Sequence, residues 1–412
     1  MDSFKKFISL MSNTLGTQVL MFIGISMMAQ KFGPNFVGHQ TLVFAIVTYI
    51  LILVQLGFQG QGLKLILEGY NVRFLWLQHS FFRFLIYILI LMVIIIYNRF
   101  DKEIGNLSVL YLFMGASPLI FYIEYYFQAK ERFFIIGISR LLAGFAFFSA
   151  SYYLIGLNES FLDDNLPLLS ILPYLLFIII PPIFLLTILV FEKEKLPNVG
   201  RKMKGTSLLK QSFVMAIGVL MIQLSYRADK FIIAGELGTH SLGIYDSAYK
   251  FINVALNLAW ILYFILAKRI KIRGYSEYIR NIGVFFLLLI CGLPLMFFLA
   301  PYLILYFFGE DFIASIEILK LLLIPLSLMV MNVILLSPMN LFGMEKQYTF
   351  ILSISTVVNV IMNFALVPSY GIHGSVYSMI ISEVLIIILF YSRTNKKLLE
   401  KLKIELCSKE YE

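Results

Sequence analysis

The sequence predicts an all-α integral membrane protein of twelve transmembrane helices arranged as two six-helix lobes. Three observations lead there. Hydrophobic residues make up 60% of the 412 and charged residues 14%, with a mean hydropathy of +0.87, whereas soluble domains are nearer a quarter charged. Apolar runs of roughly 18 to 25 residues, each long enough to cross the hydrocarbon core, recur along the chain. The basic residues gather on alternate connections between those runs, the asymmetry that orients membrane proteins.

The first run, 8–31, has the basic start of a signal peptide, but its apolar stretch is too long and no A-x-A cleavage site follows, so it reads as a retained span. The next five lie at 36–58, 74–97, 107–128, 135–157 and 167–191. A polar stretch, EKEKLPNVGRKMKG, then marks a cytoplasmic linker at 192–206, which separates an N-terminal lobe, 1–191, from a C-terminal lobe, 207–392. The second six runs lie at 207–235, 241–266, 280–302, 312–335, 347–367 and 371–392, followed by a tail, 393–412.

With the N-terminus in the cytoplasm, the inner segments hold Lys5, Lys6, Lys64, Arg73, Lys130, Arg132, the clusters Lys193 to Lys210 and Lys268 to Arg280, Lys346 and the tail from Arg393. The outer segments hold only Lys31, Arg99 and Lys102, beside Glu159, Asp163, Asp164, Glu310 and Asp311. Both termini are therefore expected in the cytoplasm. Most of the net charge of +9 is accounted for by topology, which argues against a nucleic-acid partner. Cys291 and Cys407 offer neither a disulfide framework nor a metal site.

One internal similarity stands out. AQKFGPNFVG, Ala29 to Gly38, and AGELGTHSLG, Ala234 to Gly243, share A-x-x-[FL]-G-x-x-x-[VL]-G, 205 residues apart and at equivalent ends of spans one and seven. The two glycines are expected to bracket a tight outer turn where φ > 0 is needed. Convergence of two short turns is the alternative. Two halves repeated in one orientation are related by an axis along the membrane normal, with a site between them. The longest outer loop, about Leu157 to Leu166, has no room for a folded domain. GPNFVGHQ, Gly33 to Gln40, has P-loop spacing but His39 in place of the required Lys, so ATP hydrolysis is not expected. The tripeptides starting at Asn106 and Asn158 fit the glycosylation sequon, a pattern too common to decide anything.

A basic side chain at the centre of a lipid-facing helix costs about 2.5 to 3.5 kcal/mol, so several of them imply a watery or protein-lined face. On span seven, Gln223, Arg227 and Lys230 share one face, while Asp229 projects away and is expected to pair with a neighbouring helix. On span eight, Asp246, Lys250, Asn253 and Asn257 form a second polar stripe, and span three adds His79 and Arg83. Snorkelling or interhelical pairing is preferred for His79, either reading stands for Arg83, and a cavity is preferred for Arg227, Lys230 and Lys250. Those three cations exceed what Asp229 and Asp246 neutralise, which suits an anionic substrate such as a phosphate or pyrophosphate. Glu124, with Gln128 one turn on, and Glu383 in span twelve are candidates for proton or sodium coupling, with an interhelical hydrogen bond as the alternative. Asn359 and Asn363 read as polar glue between helices more readily than as sugar ligands. The 24 tyrosines supply interfacial belts and rings on which sugars stack.

YRADKFIIAGELGTHSLGIYDSAYKF resembles the seventh-to-eighth span signature of Wzx-type polysaccharide flippases, in which an Arg-x-Asp-Lys element precedes a Gly-x-Tyr turn. EYYFQAKERF, Glu124 to Phe133, is similar to that family's fourth-span ending, with Tyr125 where many members have Trp. FGEDFIASIEILKLL, Phe308 to Leu322, and LVPSYGIHGSVYSMIISE, Leu366 to Glu383, resemble two further connections. The resemblance covers most of the chain and implies the MATE-like fold of the multidrug/oligosaccharidyl-lipid/polysaccharide (MOP) exporter superfamily. It implies a bacterial inner-membrane flippase for undecaprenyl-pyrophosphate-linked oligosaccharide repeat units, as in O-antigen and lipopolysaccharide synthesis, working by ion-coupled alternating access. Arg227, Lys230, Lys250 and Arg83 would line the cationic cavity, while Asp229, Asp246, Glu124, Asn253, Asn257 and Glu383 would serve coupling or polar lining. No cofactor, metal or catalytic residue is implied beyond coupling protons or sodium. Partners would be the lipid-linked glycan, membrane lipids, and polymerase and chain-length proteins of the same pathway. The rivals are a MATE-like drug exporter, expected to carry more acidic cavity residues, and an O-antigen polymerase or ligase, expected to need a large outer loop.

Overall fold

The computed structural model describes residues 2–100, 104–157, 171–191, 196 and 200–401. Most of the outer loop with Glu159, Asp163 and Asp164, Lys102, the sequon at Asn158, the start of the sixth span, the first basic residues of the linker, Cys407 and the end of the tail lie outside these residues.

The described chain is almost wholly helical, and its breaks fall where the sequence removes a helical hydrogen bond or permits φ > 0. Helix α1 (Asp2–Gln55) carries the first two expected spans, divided at Gly33 with φ 74° and ψ −175°. Leu56 and Gly57 at positive φ turn the chain into the short helix α2 (Phe58–Leu67), and α3 (Val72–Phe100) is the third span. Helices α6 (Phe133–Ile155) and α7 (Leu172–Phe191) are the fifth and sixth. Next, α8 (Gly205–Phe308) holds spans seven, eight and nine, divided at Gly238 and Gly274. The last three spans are α9 (Ala314–Leu336), α11 (Glu345–Tyr370) and α12 (Ile372–Arg393), with a single turn, α10 (Pro338–Leu341), after α9. Among the described residues, eight helical segments are long and apolar enough to cross a membrane.

The fourth span departs from expectation. Instead of one helix over 107–128, it is α4 (Ile104–Gly115), a 3-10 turn at Ser117–Phe121 and the six-residue α5 (Glu124–Ala129). Pro118 has no N–H and biases Ser117 away from the α region, so the helical ladder fails there. At membrane depth such a break is tolerated only where neighbouring protein satisfies the freed carbonyls. One polar stripe of α3 supplies that. Tyr87 Oη donates to the Phe113 and Met114 carbonyls at 3.0 Å, and Trp76 Nε1 to that of Phe121 at 3.2 Å.

The chain divides into two compact units, Met1–Lys31 with His39–Leu220, and Phe32–Gly38 with Met221–Glu412. The division after Leu220 falls within the seventh span. The described part of the linker expected at 192–206 folds back in the first unit, where Tyr70 and Arg201 form an isolated β-bridge. That unit's core gathers Val72, Ile123, Tyr126, Ile136 and Leu185 around the C-terminal end of span four. Gln61 donates to the Leu208 carbonyl at 2.8 Å and accepts from Ser212, tying α2 to the start of α8.

In the second unit α9 is central: 67% of its most apolar window is buried, against 6% for Gly274–Phe308. Phe298, Tyr302 and Tyr306 project from the latter, the surface that bilayer contact requires. The two repeat turns interlock in this unit. A Cβ added to Gly38 would stand 1.8 Å from the Thr239 carbonyl oxygen, and one added to Gly243 would stand 2.0 Å from that of Pro34. The expectation that both glycines of each turn need φ > 0 is thus half corrected: Gly33 and Gly238 do, whereas Gly38 and Gly243 are required by close backbone approach.

Candidate substrate-binding site

Gly238 folds the second-unit part of α8, 221–274, back on itself, so residues at similar distances on either side of the turn face each other. Asp229 meets Tyr245 in this way, and Lys230 meets Asp246. Each pair is 16 residues apart in sequence. Asp246 Oδ1 takes the ammonium of Lys230 and Oδ2 that of Lys250, one turn further along its own helix. The side chains of Lys230 and Lys250 are 12% and 13% exposed. Lys230 also sits 5.1 Å from the centre of the Tyr249 ring, which stacks on Tyr245. Asp229 accepts from Tyr245 Oη at 2.5 Å and from the Lys230 backbone N–H at 2.9 Å. It is buried and turned toward the neighbouring helix, as its angular position requires.

Four charged side chains therefore occupy adjoining turns, and two ammoniums share one carboxylate. Each ammonium has three N–H donors, of which Asp246 engages only some, so donor capacity remains for a second anion. Arg227, Asn253 and Asn257 are half-buried along the same two segments.

The other candidates have partners of their own among the described residues. Arg83 is fully buried within the first unit. Its Nη1 donates to the Tyr122 carbonyl at 2.7 Å and more weakly to that of Ile120, and its guanidinium lies over Phe58. Those carbonyls belong to the broken fourth span, so Arg83 completes a backbone that Pro118 interrupts. His79 stacks on Phe58 and its Nδ1 lies 3.3 Å from Tyr125 Oη, the interhelical role preferred for it.

Glu124 is not a lone carboxylate. Arg140 of α6 pairs with its Oε1 at 2.7 Å, Gln128 donates to the same oxygen at 2.8 Å, and Tyr122 Oη donates to Oε2. Sequence reasoning missed Arg140, although 124 and 140 are equally far from the turn at Arg132, the relation that also joins Lys230 to Asp246. Asn359 donates to Ser382 of α12 at 3.1 Å, as glue between helices, and Asn363 donates to Asn359 Oδ1 within α11 at 3.2 Å. Glu383 accepts from Asn332 Nδ2 of α9 at 2.6 Å, a partner the sequence did not reveal.

No family model and no curated protein matches the sequence. Solved structures do match in fold. The inward closed conformation of the lipid II flippase MurJ aligns over 97% of this chain and 91% of its own, at 14% identity and a TM-score of 0.73. An inward-facing multidrug resistance transporter of the MATE family aligns over 96% and 95%, at 16% identity and 0.62. A MOP superfamily transporter from Pyrococcus furiosus, noted for the reverse polarity of its binding pocket, aligns over 97% of both chains, at 13% identity and 0.63. At such identities the likeness speaks for architecture alone: this multi-pass membrane protein has the MOP exporter fold that MurJ and the MATE transporters share.

Proposed function

We propose that this chain is a flippase that carries an undecaprenyl-pyrophosphate-linked oligosaccharide from the cytoplasmic to the outer leaflet of a bacterial inner membrane by ion-coupled alternating access. The observation that carries the proposal is that two enclosed ammoniums, Lys230 and Lys250, share the single carboxylate of Asp246, in a chain with the fold of a lipid II flippase. A pyrophosphate leaving the headgroup region loses its hydration, and ammonium donors that already share Asp246 replace that water at little reorganisation cost. Sharing also limits affinity, because the phosphate competes with Asp246 and is released when the conformation changes. The polyprenyl tail stays in lipid throughout. Export of cationic drugs by the same fold is less well supported, since two lysines and an arginine repel such cargo.

The test is reconstitution in liposomes with a fluorescent polyprenyl-pyrophosphate glycan on the inner leaflet and a membrane-impermeant quencher outside. Protein is expected to raise the quenched fraction with time. Equal quenching with and without protein overturns the proposal.

A further inference from the structure

We propose that the second unit holds a separate binding site for a small organic ammonium, in a cavity between α9, α11, α12 and the 239–274 segment of α8. The cavity measures about 330 Å³ and is walled by Leu256, Trp260, Tyr348, Leu352 and Ile386. Its polar groups are few and specific. Glu383 places a carboxylate on the wall, and among the described residues Asn332 is its only hydrogen-bond partner and no cation pairs with it. Asn332 is more than nine-tenths buried and spends its amide N–H on Glu383, which leaves its Oδ1 without a partner. Ser337 is 3% exposed, and its hydroxyl also lacks a partner.

Unpartnered buried acceptors beside an unpaired carboxylate are costly unless a ligand supplies donors. Three kinds of ligand differ in what they satisfy. A proton on Glu383 neutralises the charge and supplies a single O–H donor, too few for both Asn332 Oδ1 and Ser337 Oγ. A hard metal cation takes about six oxygens, and this lining is mostly aliphatic and aromatic. A primary ammonium offers three N–H donors to the carboxylate, the amide oxygen and the hydroxyl, while its apolar body fills the rest against Trp260 and Tyr348, whose rings attract cations. The volume lies at the lower end of the roughly 300 to 1,000 Å³ of small-molecule pockets. This site does not depend on the flippase reading.

The chain has two tryptophans, and Trp76 lies in the other unit. Trp76→Phe therefore leaves Trp260 as the single emitter. Titrating this variant with 2-phenylethylammonium is expected to change its emission saturably, and adding Glu383→Gln to weaken binding about tenfold or more. The neutral isostere 2-phenylethanol is expected to bind about tenfold or more weakly. The proposal is overturned if the alcohol binds as well, if Glu383→Gln leaves the affinity unchanged, or if sodium chloride alone saturates the signal. Should Trp76→Phe fail to fold, equilibrium dialysis of radiolabelled amine against the otherwise native chain and its Glu383→Gln variant decides on the same criteria.

Discussion

Gly33 and Gly238, 205 residues apart, share one backbone conformation, φ 74° and ψ −175° against φ 80° and ψ 174°. This region is nearly closed to residues with a Cβ. The repeat therefore preserves a geometry as well as a spelling: each copy reverses the chain on a glycine. Five residues later each places a second glycine against the backbone of the other copy.

Gly238→Ala is expected to destabilise the protein by about 1 to 3 kcal/mol, the cost of holding an ordinary residue in that region. Gly243→Ala forces the Pro34 backbone to move and is expected to cost a similar amount. Gly292, with open space around its Cα and no positive φ, is the control and should tolerate alanine. Thermal unfolding of the three variants in one detergent reads the difference. Equal midpoints for all three would contradict the interlock.

Asp246→Asn leaves two enclosed ammoniums without their counter-charge. Breaking such a buried arrangement costs about 3 to 5 kcal/mol, more than the pairing itself contributes, because the orphaned charges stay desolvated. The midpoint should fall sharply and should partly recover when Lys250→Met is added, since one orphan is then removed. Failure to recover would place the role of Asp246 outside this triad.

Tyr245→Phe deletes one hydrogen bond to Asp229 while keeping the ring on Tyr249. The expected loss is about 1 kcal/mol, with the fold intact by circular dichroism.

The ion pair of Glu124 and Arg140 is partly open to solvent, its arginine side chain being 38% exposed. A double-mutant cycle with Glu124→Gln and Arg140→Gln should give a coupling on the order of 1 kcal/mol, reduced by screening. A coupling near zero would show that Tyr122 and Gln128 hold Glu124 unaided.

The span pattern was legible because bilayer thickness dictates segment length and glycine dictates where a helix may turn. The break at Pro118 was legible only in hindsight, since an uninterrupted apolar run masks a failure of hydrogen bonding. The partners of Arg83 were hidden for the same reason: they are backbone carbonyls, which leave no mark on side-chain periodicity. Helical spacing grouped Arg227 with Lys230 and Asp246 with Lys250, but it is blind to pairing across a hairpin. The distance of each residue from Gly238 carried that information and would have joined Lys230 to Asp246, as the distance from Arg132 would have joined Glu124 to Arg140.

The most direct measurement is the initial flipping rate of the Lys230→Gln/Lys250→Gln double variant, in liposomes carrying fluorescent polyprenyl-pyrophosphate glycan, beside the unaltered protein at equal reconstitution. If these ammoniums receive the pyrophosphate, the rate falls about tenfold or more, and a polyprenyl glycan without phosphate is flipped poorly by both proteins. Equal rates for the variant and the unaltered protein would contradict the account.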